Sequence, residues 1–323
     1  MTNNNQALAV TPEDIQQAAA RVRGMAHRTP VLTSRSFNAE AGVEAFFKCE
    51  NFQRGGAFKI RGASNFVFSL TDDERRRGVV ACSSGYRALA GAIAAVQAGG
   101  DATLVMPDDA PRLKVAATRA HGARIVSYNR FAESREEIGR RIARETGATL
   151  IPPYDHPLTI AGQGTVALEF LEQAPDLDAL VICVGGGGLI AGCAVAAKSL
   201  KPGIGIFGVE PERANDTYLS FQAGRRVEAP NPDTIADGLR SPRPGELTFP
   251  VVQRHVENIV LVTEEEIRQT VRYLLLRMKI LAEPSGAVAA AAVLHHKLPP
   301  AIKRPGIVVS GGNVDFETLA SFA

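Results

Sequence analysis

Three short segments carry side chains that could do chemistry together. In FKCENFQRGGAFKIRGA (47–63), Lys59 stands between Phe58 and Ile60, with two glycines just upstream. An amine among apolar neighbours loses hydration and its pKa falls, so its neutral form can condense with an aldehyde or act as a base. Taken alone, the same lysine reads as an ordinary surface residue with a buried stem. GGGGLIAG (185–192) follows an apolar run and opens an alanine-rich one. Glycines let the backbone bring its N–H groups against an anion, and a helix N-terminus adds partial positive charge, so this segment is a phosphate cradle. In CSSGYRALA (82–90), Ser83, Ser84 and Gly85 offer hydroxyls and amides where a helix starts. That suits a carboxylate, although one serine could simply be the helix cap.

The glycine segment has a competing reading. Gly186 to Ala191 satisfies GxGxxA, and Glu210 falls about where a ribose-binding acid would sit, so an NAD-dependent oxidoreductase is an alternative. No GxxxxGK[ST] is present, which leaves a Walker-type site unsupported.

The elements that must position these residues alternate in type. AFFKCE (45–50), GVVACSS (78–84), ATLVMP (102–107), ARIVSY (123–128), LVICVGG (180–186), GIFGVE (205–210) and GIVVSGG (306–312) read as buried strands. Alanine-rich helical patterns at 88–100 and 189–200 lie between strands, and 129–145 is a highly charged helix with a solvated face. Such alternation predicts parallel sheets covered by helices on both faces. Thr11-Pro12 reads as the cap and first position of a helix to about Arg23, after a loose tail, and 231–246 is a long Pro- and Gly-rich loop.

The 323 residues suffice for two lobes, and 36 Lys plus Arg against 34 Asp plus Glu leave a formal charge of +2. No strong field favours nucleic acid or an anionic membrane, so the expected partner is a small molecule. The uncharged stretch 179–197 is broken by four glycines and is not expected to span a bilayer. Cys49, Cys82, Cys183 and Cys193 lack metal spacing and fit buried thiols of a cytoplasmic protein.

Taken together, FKIRGA, the tetraglycine loop, TIADG (234–238), EPSG (283–286) and SGGN (310–313), in this order and spacing, resemble the fold-type II pyridoxal-phosphate family of serine and threonine dehydratases. The layout is similar to that of its serine racemases, threo-3-hydroxyaspartate dehydratases and phenylserine dehydratases. The resemblance spans nearly the whole chain and takes most of the weight from the dinucleotide reading. It implies an α/β, tryptophan-synthase-β-like fold of two three-layer lobes. The large cofactor lobe would comprise 1–74 and 151–323, the small capping lobe 75–150. It also implies a homodimer.

The resemblance implies roles as well. Lys59 would hold pyridoxal 5'-phosphate through a Schiff base and remove the Cα proton of an amino-acid substrate. Phe58 would pack on the cofactor ring, Gly185, Gly186, Gly187, Gly188 and Leu189 would hold its phosphate, and Ser310 would meet the pyridine nitrogen. Gly238 and Glu283, from the TIADG and EPSG segments, would complete the cofactor site. Ser83, Ser84 and Gly85 would bind the substrate carboxylate, with Ser84 matching the opposite-face base of racemases. Arg135 aligns with an arginine that can approach the distal end of substrate. Glu210, Asp216 and the Ala214 carbonyl match a divalent-cation site for Mg²⁺, Ca²⁺ or Mn²⁺. The implied activity is a carbon–oxygen lyase that removes water from a 3-hydroxy amino acid and releases a 2-oxo acid and ammonia, with racemisation as the alternative.

Two departures bear on the substrate. Tyr86-Arg87 stands where the family has Asn-His, at the cofactor's ring oxygen, and Gly55-Gly56-Ala57 stands where Thr-Gly-Ser is common. These changes predict a wider pocket and a larger or unusual β-substituent, such as that of phenylserine or 3-hydroxyaspartate. Arg87 would suit an acidic one and Tyr86 an aromatic one.

Overall fold

The apolar runs become strands of two parallel sheets. The computed structural model describes residues 7–82, 86–110, 112–129, 131–229 and 232–322. Its strands are β1 (Val31–Thr33), β2 (Phe46–Cys49), β3 (Val79–Cys82), β4 (Ala102–Pro107), β5 (Arg124–Tyr128), β6 (Thr149–Leu150), β7 (Ala179–Cys183), β8 (Gly205–Pro211), β9 (Asn258–Val262) and β10 (Pro305–Val309). One sheet has the order β1-β2-β10-β7-β8-β9, parallel except for the antiparallel edge β1, and the other has the order β5-β4-β3-β6 and is parallel throughout. The first draws its strands from 31–49 and 179–309, the second from 79–150.

Local chemistry explains the element ends. Thr11 caps the helix Pro12–Arg21 in a capping box with Asp14, and Ser134 caps Arg135–Thr146, so the charged helix begins six residues later than its composition suggests. The chain is docked earlier than expected at its start: Leu8 packs on the main core and Val10 is buried. β1, β6 and β9 are the strands that periodicity did not pick out, β1 and β6 being short and at sheet edges, where fewer apolar residues are needed.

Each sheet has its own apolar core. The larger core gathers β7, β8 and β10 with the helices Pro157–Gln173, Gly188–Leu200 and Pro284–Leu294. The helix Lys59–Ser69 turns the other way, burying Ile60, Phe66 and Val67 among Val79, Leu104 and Met106 of the second core. Each such fully buried side chain contributes about 1.5–3 kcal/mol. The lysine-bearing helix is therefore gripped at the seam between the sheets. The C-terminal ends of β7 and β10 face that seam, where open parallel sheets place ligands.

Candidate active site

Lys59 is held by its backbone on both sides. Ala57 makes an antiparallel bridge to Gly311, and the Phe58 amide donates to the Ser310 carbonyl at 3.1 Å, which ties the lysine to the end of β10. Its Nζ lies 4.7 Å from the Phe58 ring centroid. Gly56, with φ +75°, is filled from outside: a Cβ there would fall 2.1 Å from Asn313 Oδ1, and Asn313 Nδ2 donates to the Gly55 carbonyl at 2.8 Å. The expected widening before Lys59 is thus occupied at Gly56 by the asparagine of the SGGN segment.

Two residues beyond the lysine, Arg61 anchors the helix from inside. Its fully buried guanidinium donates to both oxygens of Glu50 and both of Glu169, each at 2.8 Å. Thr165 Oγ1 at 3.1 Å and the His27 carbonyl at 3.2 Å accept its remaining donors. Lys48 adds a second cation, 2.8 Å from Glu169 Oε2. Burial alone would lower the Arg61 pKa, but Glu50 and Glu169 reverse this and hold it above its usual value. Charge is balanced and the hydrogen bonds are made, as a buried ionic cluster requires.

Opposite Lys59, the tetraglycine loop leads from β7 into the helix Gly188–Leu200, with Gly187 at its cap in the left-handed region (φ +90°). A Cβ on Gly186 would strike the Tyr154 ring at 2.4 Å, so only glycine fits beneath that ring. The loop's carbonyls face away: Thr248 Oγ1 donates to the Gly186 oxygen at 2.8 Å. Amides of a helix's first turn have no acceptor within the helix, which leaves them for an anion.

The cavity between loop and lysine has a volume of about 60 Å³, and its walls include Phe58, Lys59, Gly185 to Gly188, Leu189, Gly238 and Ser310. Ser310 is a neutral hydroxyl at its base. The Cys183 thiol donates to Ser310 Oγ at 3.3 Å, and that hydroxyl reaches the Ser285 carbonyl at 3.4 Å. Gly238 is fixed by its amide, which donates to Ser285 Oγ at 2.9 Å. Glu283 is buried behind this wall, packed against Gly311, and its neighbour Ser285 does the lining.

The expected substrate residues divide. Ser83, Ser84 and Gly85 lie outside the described residues, as do the side chains of Tyr86 and Arg87, whose backbone opens the helix Tyr86–Gln97. Arg135 is described: it lines an outer cleft that shares Pro153, Tyr154, Gly186 and Gly238 with the cofactor cavity. Its Nε donates to Glu136 at 2.7 Å.

Glu210, near the end of β8, meets Asp216 at the start of the next helix, with Ala214 in the turn between them. The Glu210 carboxylate accepts from the Thr217 and Tyr218 amides at 3.2 and 2.7 Å, while both oxygens of Asp216 are buried without a hydrogen-bond partner. Burial, and then the adjacent Asp216, raise the Glu210 pKa well above the carboxylate range, and burial pushes Asp216 up to about 8. Two buried acids side by side fit an oxygen-binding cation, which the Ala214 carbonyl and waters could complete. Among the described residues no three acidic, histidine or cysteine side chains gather as metal ligands, so such a site would rest on these two.

Sequence reasoning passed over Tyr154, Gln163, Cys183 and Ser285 in the cavity wall. Cys183 could have been found, because it ends a buried parallel strand immediately before the glycine loop. Ser285 sits within the EPSG segment already singled out. Tyr154 belongs to no pattern and reaches the site only through the fold.

The comparisons agree with this geometry. A family model described as pyridoxal-phosphate dependent enzyme matches residues 22–311. An L-threo-3-hydroxyaspartate ammonia-lyase of Saccharomyces cerevisiae is 49% identical over 308 residues, covering 95% of this chain and 94% of its own. A serine racemase of Schizosaccharomyces pombe is 45% identical, covering 97% of each. The solved structure of maize serine racemase superposes with a TM-score of 0.93 at 44% identity, covering 97% of this chain and 96% of the other. The amine, the cradle with no room for a Cβ at Gly186 and Gly187, and the neutral hydroxyl in one cavity all fit pyridoxal phosphate. The chain belongs to the pyridoxal-phosphate-dependent enzyme family, with the fold-type II serine and threonine dehydratases.

Proposed function

We propose that this pyridoxal-phosphate-dependent dehydratase takes threo-3-hydroxyaspartate in preference to serine, threonine or phenylserine. The observation that carries the reaction class is a single cavity holding Lys59, the glycine cradle and the neutral Ser310 hydroxyl. The choice of substrate is supported by the name of the 49% identical relative and by Arg135 in the adjoining cleft.

The bound cofactor supplies an electron sink for the carbanion at Cα. Lys59 would hold it covalently, Gly185 to Gly188 and Leu189 its phosphate, and Phe58 one ring face. Ser310, neutral where a carboxylate would be a stronger charge partner, keeps that sink modest, which favours elimination over transamination. With its Nζ free of the cofactor, Lys59 would act as the base that takes the substrate's Cα proton. The Cα–H bonding pair would then form the Cα–Cβ double bond as the Cβ–O bond breaks, and the β-hydroxyl would leave as water with the proton returned by the Lys59 ammonium. The enamine set free hydrolyses to oxaloacetate and ammonia. Ser83, Ser84 and Gly85 would orient the α-carboxylate throughout.

The same reading includes a divalent cation at Glu210, Ala214 and Asp216, supported by the two partnerless Asp216 oxygens. It includes a large lobe of 1–74 and 151–323 and a small one of 75–150, supported by the two sheets. A homodimer follows from the family resemblance. Cytoplasmic location is supported by four free cysteines, three of them buried.

Turnover of serine, threonine, threo-3-hydroxyaspartate and phenylserine, read as 2-oxo acid formed and with chiral analysis of remaining substrate, tests the proposal. Hydroxyaspartate should lead, and a clear preference for serine would sink it. Excess of inverted amino acid over 2-oxo acid would make the enzyme a racemase. Lys59→Ala should abolish the visible absorption of the purified protein.

A further inference from the structure

The outer cleft is lined by three arginines, Arg135, Arg140 and Arg240, against one carboxylate, Glu136. Arg135 is paired with that glutamate at 2.7 Å. Arg140 shares the field of that same Glu136, and Arg240 has no ion pair with a carboxylate among the described residues. The two stand on opposite banks: Arg140 on the helix Arg135–Thr146 beside the four-stranded sheet, Arg240 in the loop after Gly238 that also walls the cofactor cavity. Unpaired cations gathered in a concave site recruit anions and raise their local concentration.

Arg240 is also held in place. Its Nε and Nη2 donate to the Thr234 carbonyl at 2.8 and 2.6 Å, and Thr234 is itself buried, with its Oγ1 accepting from the Ala236 amide at 3.1 Å. A guanidinium has five donors, and two are spent on this anchor. The remaining three have no acceptor among the described residues, and the exposed side chain is tethered at its Nε edge by the Thr234 carbonyl. Such a fork takes a carboxylate in two parallel hydrogen bonds. An arginine that only braced its loop would gain nothing from lining the cleft that adjoins Gly186 and Gly238.

We propose that Arg240 is the specificity-determining residue for this enzyme, receiving the β-carboxylate of a dicarboxylic 3-hydroxy amino acid in the outer cleft. The inference rests on the substrate reading above and adds a residue to it that the sequence motifs did not single out. Arg140 and Arg135 contribute field across the cleft, and Arg240 the directed contact. The receptor is thereby placed on the rigid cofactor side, next to the glycine loop.

The test compares kcat/KM for threo-3-hydroxyaspartate and serine in the native enzyme, Arg240→Ala and Arg240→Lys. Losing a charge-assisted hydrogen bond lowers the hydroxyaspartate value by about 10- to 100-fold. Serine, lacking the second carboxylate, should fall by no more than about threefold, and lysine should recover part of the loss. A second readout needs no turnover: malate and lactate, which lack the amine, are titrated while thermal unfolding is followed. The native protein should bind malate more tightly than lactate, and Arg240→Ala should bring the two within about threefold. Equal losses for both amino acids, with an unchanged malate-to-lactate ratio, would reduce Arg240 to a loop brace and overturn the proposal. If the native enzyme itself shows no preference for hydroxyaspartate, the substrate reading fails. If it shows one that Arg240→Ala retains, only the assignment to Arg240 fails.

Discussion

Two buried ionic clusters, one on the Lys59 helix and one where β8 meets the helix after it, are built in opposite ways. Around Arg61, two cations meet two carboxylates, and the guanidinium is satisfied on every side. Around Asp216, two carboxylates meet each other, and one of them has no hydrogen-bond partner. Balanced charge with its hydrogen bonds made suits a scaffold; two buried acids without a counter-charge suit the cation proposed for them. The first cluster fixes the helix that carries Lys59, and the second lies where β8 meets the helix Asp216–Ala223.

Breaking the closed cluster should give the largest effect. Arg61→Ala leaves Glu50 and Glu169 buried without their main partner, and removing one member of a buried pair costs about 3–5 kcal/mol. Urea unfolding at neutral pH measures this, and a loss below about 1 kcal/mol would contradict the scaffold role. The cofactor's visible band should also weaken, since the same helix begins with Lys59.

Filling the open cluster comes next. A divalent cation at 100 times its Kd adds about 2.7 kcal/mol to the folded state. Thermal unfolding with magnesium, calcium or manganese, and then with a chelator, should show that increment appear and vanish. Indifference to all three ions would remove the cation from the reading.

The closed cluster should also show in the acid limb. Burial raises the Glu169 pKa, but the hydrogen bond and charge of Arg61, with Lys48 behind them, lower it further, so the net shift is downward. A carboxylate whose folded pKa is depressed contributes stability that is complete above its ordinary range near pH 4.5 and is lost as pH falls through the folded value. Glu169→Gln should therefore cost about 2 kcal/mol at pH 7 and progressively less in acid. A cost independent of pH would mean that packing, not charge, holds Glu169.

The contrast also explains what the sequence could disclose. The segments of Lys59, the glycine loop and Ser310, which the fold brings to one cavity, were legible from their local sequence, and the strand–helix alternation around them was legible from periodicity. Tyr154 and Arg240 were not, because their importance comes from contacts between segments 32 and more residues apart, under Gly186 and across a cleft. Arg61 looked like one more cation in FKIRGA, and its burial depends on Glu50 and on Glu169, 108 positions away. β9 was overlooked although Ile259 to Val262 form a continuous apolar run, so nothing in its composition explains the omission.

The smallest expected effect is the most discriminating. In the cation-free protein, two adjoining buried carboxyls cannot both be ionised at low cost, so one holds a proton and resembles an amide in shape and charge. Asp216→Asn should then change the stability of the chelated protein by no more than about 1 kcal/mol, since it replaces a neutral group by a neutral one. The same substitution should abolish the increment from added cation, because an amide oxygen carries no net charge toward the metal. Arg61→Ala offers no such condition under which its cost disappears. A large loss from Asp216→Asn in the chelated protein would show that the acids are braced by contacts of their own, and the distinction between a closed scaffold and an open site would collapse.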